Sequence, residues 1–193
     1  APRLSGALQP HVLLTEDSDE PGVPFVVQGG RPIRIDGHMG AFRIELGEHG
    51  KANYEVLETD LILDLSPAPL LGMPLRPLGY LTAGVDEADL DAAVEHLSEL
   101  TGTFEKPRFF DYDASICAHG RSGYQACNHC MEACPAAAIE SIGEAIAVDP
   151  YLCQGGGICA AVCPSGAIRY SYPSATDTLE RIRTLLRVYR ERG

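Results

Sequence analysis

Phe42, Ile44 and Leu46 alternate with Arg43 and Glu45, a period of two that marks a half-buried strand. Similar short runs flank it. Pro24-Phe25-Val26-Val27, Ile33-Arg34-Ile35 and the stretch from Tyr54 to Leu63 also read as strands. Gly29-Gly30, Asp36-Gly37 and His49-Gly50 read as the turns between them. Residues 1–24 are broken by prolines and by the acidic run Glu16 to Glu20, and predict loop with one short strand at Val12–Leu14. Pro67 to Pro77 is a second loop. The period then changes. Leu90, Ala93, Val94, Leu97 and Leu100 form one helical stripe, with Asp86 as the N-cap, Asp89 three residues on and Gly102 as the stop. A last helix begins at Thr176 or Asp177. Leu179, Ile182, Leu185, Leu186 and Tyr189 make its apolar face, and Arg183, Arg187 and Arg190 line another. That helix is expected to pack on the body or to reach toward a partner.

Composition narrows the choice of partners. The net charge is −12, unevenly spread. Residues 1–102 carry 6 basic and 17 acidic side chains, whereas residues 174–193 carry 5 basic and 3 acidic. An acidic chain lacks the basic patch that phosphate contacts need, so no nucleic-acid partner is expected. The same charge suits a protein with a basic docking face. The most hydrophobic region, Leu61 to Leu81, is interrupted by Asp64, Pro67, Pro69, Pro74 and Pro77, so no membrane span is expected. No secretory leader is visible, and the expected location is the cytoplasm.

All seven cysteines fall between Cys117 and Cys163. They divide the chain into a β-rich unit ending in a helix (1–102), a cysteine-bearing domain (103–173) and a basic amphipathic helix (174–193). Within the middle domain two segments repeat. Cys127-Asn-His-Cys130-Met-Glu-Ala-Cys134-Pro135 runs on to Ala138-Ile139, and Cys153 through Cys159 to Cys163-Pro164 runs on to Ala167-Ile168. Thiolates at such short spacings aim several sulfurs at one metal cluster. Zinc would prefer two well-separated pairs, and only Cys127/Cys130 makes one. Disulfides would require an oxidising compartment and leave one of seven cysteines unpaired.

These segments resemble the two-cluster bacterial-type ferredoxins, over roughly residues 110–173. With the strand and helix patterns above, the expected fold is α+β, a β-rich unit preceding a two-cluster ferredoxin domain and a C-terminal helix. It implies that the fourth cysteine of each motif serves the other cluster. Carried over, cluster A takes Cys117, Cys127, Cys130 and Cys163. Cluster B takes Cys134, Cys153 and Cys159 only. Two positions depart from the pattern. The first position of the first motif is Tyr124, which supplies no thiolate, and Cys117 substitutes from upstream across a loop with Gly120 and Gly123. Should Cys117 not bind, cluster A uses His119 or His129 or is incomplete. The second position of the second motif is Gly156, and no carboxylate fills the gap. The implied cofactors are one [4Fe-4S] cluster and one [3Fe-4S] or labile [4Fe-4S] cluster.

Leu61 to Ser66, Phe104 to Pro107 and Phe109-Phe110 resemble the region before the last cluster pair of large multi-cluster bacterial ferredoxin-type proteins. That implies a C-terminal part of a longer chain, whose other domains or a separate redox protein would be the partner. The expected function is one-electron transfer, with no catalytic residue. An iron–sulfur enzyme subunit or a redox sensor using the open iron of cluster B stays as the alternative.

Overall fold

The computed structural model describes residues 6, 8–14, 26–29, 32–47, 55–84, 86–120 and 127–192. It divides into two compact units, residues 1–104 and 105–193. Strands and helices mix in an α+β fold.

The first unit is organised by the alternation at Phe42–Leu46. Strand β1 (His11–Leu14) pairs in parallel with β2 (Val26–Gly29). Strands β3 (Pro32–Asp36), β4 (Phe42–Leu46) and β5 (Glu55–Thr59) form an antiparallel meander. Phe42, Ile44 and Leu46 point inward and are 1%, 6% and 3% exposed. On the outer face, Arg43 pairs with Glu45 at 2.8 Å. Gly37 turns the chain from β3 into β4 with φ 94°, and a Cβ there would meet the Ala41 carbonyl oxygen at 2.1 Å, so only glycine fits. The turn expected at His49-Gly50 lies outside the described residues; of the turn expected at Gly29-Gly30, Gly29 is the last residue of β2 and Gly30 lies outside them.

The strand expected from Tyr54 to Leu63 is two strands. β5 ends at Thr59, and β6 (Ile62–Asp64) joins a different sheet, parallel to β7 (Tyr80–Thr82). Polar Asp60 interrupts the run: its carbonyl accepts the Gly40 N–H at 2.9 Å, and the Thr59 hydroxyl donates to the Leu61 carbonyl at 3.1 Å. Ile62 and Tyr80 complete the core with the meander residues.

The proline-rich connection between β6 and β7 is held by one buried carboxylate. Asp64, 4% exposed, accepts the N–H groups of Ser66 at 2.9 Å and Leu70 at 2.8 Å and the hydroxyl of Tyr80. The Tyr80 oxygen in turn accepts the Leu71 N–H at 3.2 Å. Burial raises the Asp64 pKa, but the bonds from Tyr80, Leu70 and Ser66 outweigh it and hold the carboxyl below its ordinary value. Burial and then the Asp64 carboxylate push the Tyr80 phenol up to about 12.

Helix α1 (Glu87–Glu99) starts where its cap predicts: Asp86 accepts the Asp89 N–H at 3.1 Å. Ala93 and Leu97 are its buried positions. Leu100 is its C-cap, and Gly102 lies beyond with φ 100°.

The second unit repeats a strand–helix–strand pattern. Strand β8 (Phe110–Tyr112), helix α2 (His129–Ala133) and strand β9 (Ile139–Ile142) form the first half. Strand β10 (Ala145–Val148), helix α3 (Ile158–Val162) and strand β11 (Ile168–Tyr170) form the second. β8 pairs antiparallel with β11 and β9 with β10, so the halves exchange partners around one core. Phe110, Cys130, Ile139, Ile146 and Ile168 make that core. Helix α4 (Ala175–Arg192) closes the chain, one residue earlier than predicted. Ser174 caps it: its hydroxyl accepts the Asp177 N–H at 3.1 Å, and the Asp177 carboxylate accepts the Ser174 N–H at 3.3 Å. Its apolar face is exposed, from Ile182 at 47% to Tyr189 at 78%.

Candidate metal centre

Each half delivers its cysteines by the same local means. A helix of little more than one turn carries Cys130 in the first half and Cys159 in the second. The chain then leaves through Cys-Pro into a left-handed residue, Ala137 at φ 48° or Gly166 at φ 68°. That residue turns the backbone so that the next alanine and isoleucine bury themselves. Ala138 and Ala167 are 3% and 1% exposed, and Ile139 and Ile168 are 8% and 2%. The same turn aims backbone N–H groups at sulfur: the Ala138 N–H approaches the Cys134 Sγ at 3.4 Å. The approach to Cys153 is set by Asp149, whose carboxylate accepts the N–H groups of Tyr151 at 2.7 Å and Leu152 at 3.1 Å, while its carbonyl accepts that of Cys153 at 3.0 Å. Cys117 follows a single 3-10 turn, Ala114–Ile116, capped by Asp113.

The seven thiols fall into two neighbourhoods. Cys117, Cys127, Cys130 and Cys163 line one cavity, with Tyr112 and His119. Four thiols around one cavity is the donor set that a [4Fe-4S] cluster takes. Burial pushes the Cys130 thiol up, and the charges of Cys127 and Cys117 add to it. Cys163 goes the other way. Burial would raise it, but the N–H groups of Ile168, Ser165 and Ala167 and the Ser165 hydroxyl outweigh burial and hold it below the ordinary thiol value. That favours the thiolate, the form that binds metal. In the second neighbourhood, burial raises Cys159, and Cys153 and Cys134 raise it further as its nearest charges. Among the described residues, no group of three or more His, Cys, Asp or Glu side chains could hold a single metal ion. A cube of iron and sulfide takes each thiolate on a different iron, so its ligands stand wider apart than those of one zinc ion.

Gly156 is exposed, and a Cβ built on it would meet no atom within 4 Å. Its neighbours differ. Gly155 and Gly157 have φ of 73° and 72°, and a Cβ on Gly155 would run into the Phe109 ring at 2.7 Å. The backbone thus demands glycine on either side of Gly156, and neither space nor a left-handed φ demands it at Gly156 itself.

His119 and His129, the alternative donors, are placed differently. His129 is exposed at the cavity wall. His119 is buried, and both ring nitrogens are engaged: Nδ1 with the Cys127 carbonyl at 2.7 Å and Nε2 with the Ser141 hydroxyl at 2.8 Å. No lone pair is left for iron. Tyr112 belongs to no motif in the sequence. Its hydroxyl accepts the Ile146 N–H at 3.3 Å and bonds to Cys117; burial first, then that contact, raises its pKa. The alternation of Phe110 and Tyr112 just ahead of the first cysteine was the available signal. Tyr124 and Gly123 lie outside the described residues.

Residues 146–169 match the 4Fe-4S binding domain family. The match spans β10, α3 and β11 with Cys153, Cys159 and Cys163, the half in which glycine stands at the second cysteine position. It supports at least one [4Fe-4S] cluster in a ferredoxin-type domain, and with it an iron–sulfur electron-transfer role. A comparison with curated proteins found no match. Among the described residues no helix is long and apolar enough to cross a membrane.

Proposed function

We propose that the second unit carries two iron–sulfur clusters of unequal type and passes electrons singly between a donor and an acceptor protein. Cys117, Cys127, Cys130 and Cys163 would hold a [4Fe-4S] cluster, and Cys134, Cys153 and Cys159 a [3Fe-4S] or labile [4Fe-4S] cluster. When bound, such groups take up and release one electron at a time with little rearrangement. The residues of the chain do the rest. The buried alanines and isoleucines after each Cys-Pro exclude water, and the N–H groups aimed at Cys134 and Cys163 stabilise charge on sulfur. The partner would be a separate redox protein or further domains of a longer parent chain, and a cytoplasmic setting fits both.

What supports this reading is the cavity lined by Cys117, Cys127, Cys130 and Cys163, the interaction of Cys159 with Cys153 and Cys134, and the open space at Gly156 between Cys153 and Cys159 in the chain. Gly156→Cys tests it. The space at Gly156 admits a side chain, so the variant is expected to fold and to gain one iron per chain, turning a three-iron signal in electron paramagnetic resonance into a four-iron one. An unchanged iron count and spectrum would remove Gly156 as the cause of the inequality.

A further inference from the structure

The ten-residue step from Cys117 to Cys127 replaces a motif that normally needs only three. Something must hold the two ends of that step at one cavity. His119 spans them. Its Nδ1 faces a carbonyl oxygen, that of Cys127, which can only accept, so Nδ1 carries the proton and donates. In the neutral ring Nε2 is then the acceptor, and the Ser141 hydroxyl donates to it from β9. His119 is 2% exposed, so its ring is shielded from water even though Ser141 on β9 is exposed. Beside it, buried Gly120 lies flat on the turn between β9 and β10. A Cβ there would meet the Glu144 carbonyl oxygen at 2.1 Å and its Cα at 2.3 Å.

We propose that His119, seated by Gly120, is a positioning residue: a latch that ties the backbone of Cys127 to β9 and keeps Cys117 and Cys127 facing the same cavity. This rests on the two-cluster reading above. His119 acts through hydrogen bonds alone and touches no iron. The latch belongs to cluster A only, because Cys134, Cys153 and Cys159 make no contact with it in the bonds described. Cluster B is therefore an internal control in the same molecule.

The test is a series in the full chain, assembled anaerobically: His119→Ala, which removes both bonds; His119→Asn, which keeps a donor near the Cys127 carbonyl; and Ser141→Ala, which removes the outer bond and leaves the inner one. Iron content, electron paramagnetic resonance of both clusters and the rate of iron loss to a chelator are read together. Wild type should hold about seven irons per chain. His119→Ala should fall toward three, losing the four-iron signal and keeping the three-iron one. Ser141→Ala should keep both but release the iron of cluster A about 10-fold faster, and His119→Asn should recover most of the loss. Identical spectra and release rates across the series would overturn the latch. Loss of both clusters together in His119→Ala would also overturn it, by making His119 a general folding residue. A wild type without a four-iron signal would instead fail the two-cluster reading itself.

Discussion

Ala137 holds a left-handed backbone, φ 48°, where the second half of the repeat has Gly166 at φ 68°. A Cβ in that region costs roughly 1–2 kcal/mol, partly offset by the smaller conformational freedom alanine loses on folding. Ala137→Gly is expected to stabilise the second unit by about 0.5 kcal/mol, and Gly166→Ala to destabilise it by about 1 kcal/mol, since no atom lies within 4 Å of the added Cβ and backbone strain is the only term. Urea unfolding of the cluster-loaded protein measures both; equal and negligible shifts would contradict the argument. Residue identity also separates the three consecutive glycines. Gly155 and Gly157 are dictated by φ, whereas Gly156 is free of that constraint, so neither the backbone nor a lack of space accounts for the missing thiol there.

Between elements, the first unit depends on the Asp64–Tyr80 bond that joins β6 to β7 and pins the loop between them. Tyr80→Phe is expected to cost about 1–3 kcal/mol at neutral pH, because it removes a hydrogen bond to a buried charge. The pH dependence has a defined sign. Tyr80 titrates at about 12 in the fold against 10.0 ordinarily, so its contribution is complete below pH 10 and fades as pH climbs toward 12. Asp64 lies below its ordinary 3.8, so its contribution is present above that value and fades as pH falls below it. The stability gap between wild type and Tyr80→Phe should therefore narrow toward pH 12 and again below pH 3.8; a gap constant with pH would contradict it. None of this was legible in the sequence, where Asp64 read as an interruption of an apolar run. Period-two and period-3.6 patterns revealed β4 and α1, because those elements bury one face each. The split of the Tyr54–Leu63 run was hidden because both pieces are apolar and only the bond network at Asp60 parts them. At the site, cysteine spacing points to two thiol groups, while His119 reads as a spare donor because a histidine's partners are set by the fold.

At the scale of the molecule, charge and chemistry are segregated. The first 102 residues hold 17 acidic and 6 basic side chains, all cysteines lie in the second unit, and the exposed helix α4 carries five arginines. The central proposal is that this chain holds one [4Fe-4S] cluster and one [3Fe-4S] or labile [4Fe-4S] cluster. Iron and sulfide analysis with electron paramagnetic resonance on anaerobically prepared protein tests it most directly. The account predicts about seven irons per chain, an oxidised three-iron signal and a separate four-iron signal that develops on reduction. Two ordinary four-iron signals would contradict the role given to Gly156, and zinc in place of iron would contradict the electron-transfer function itself.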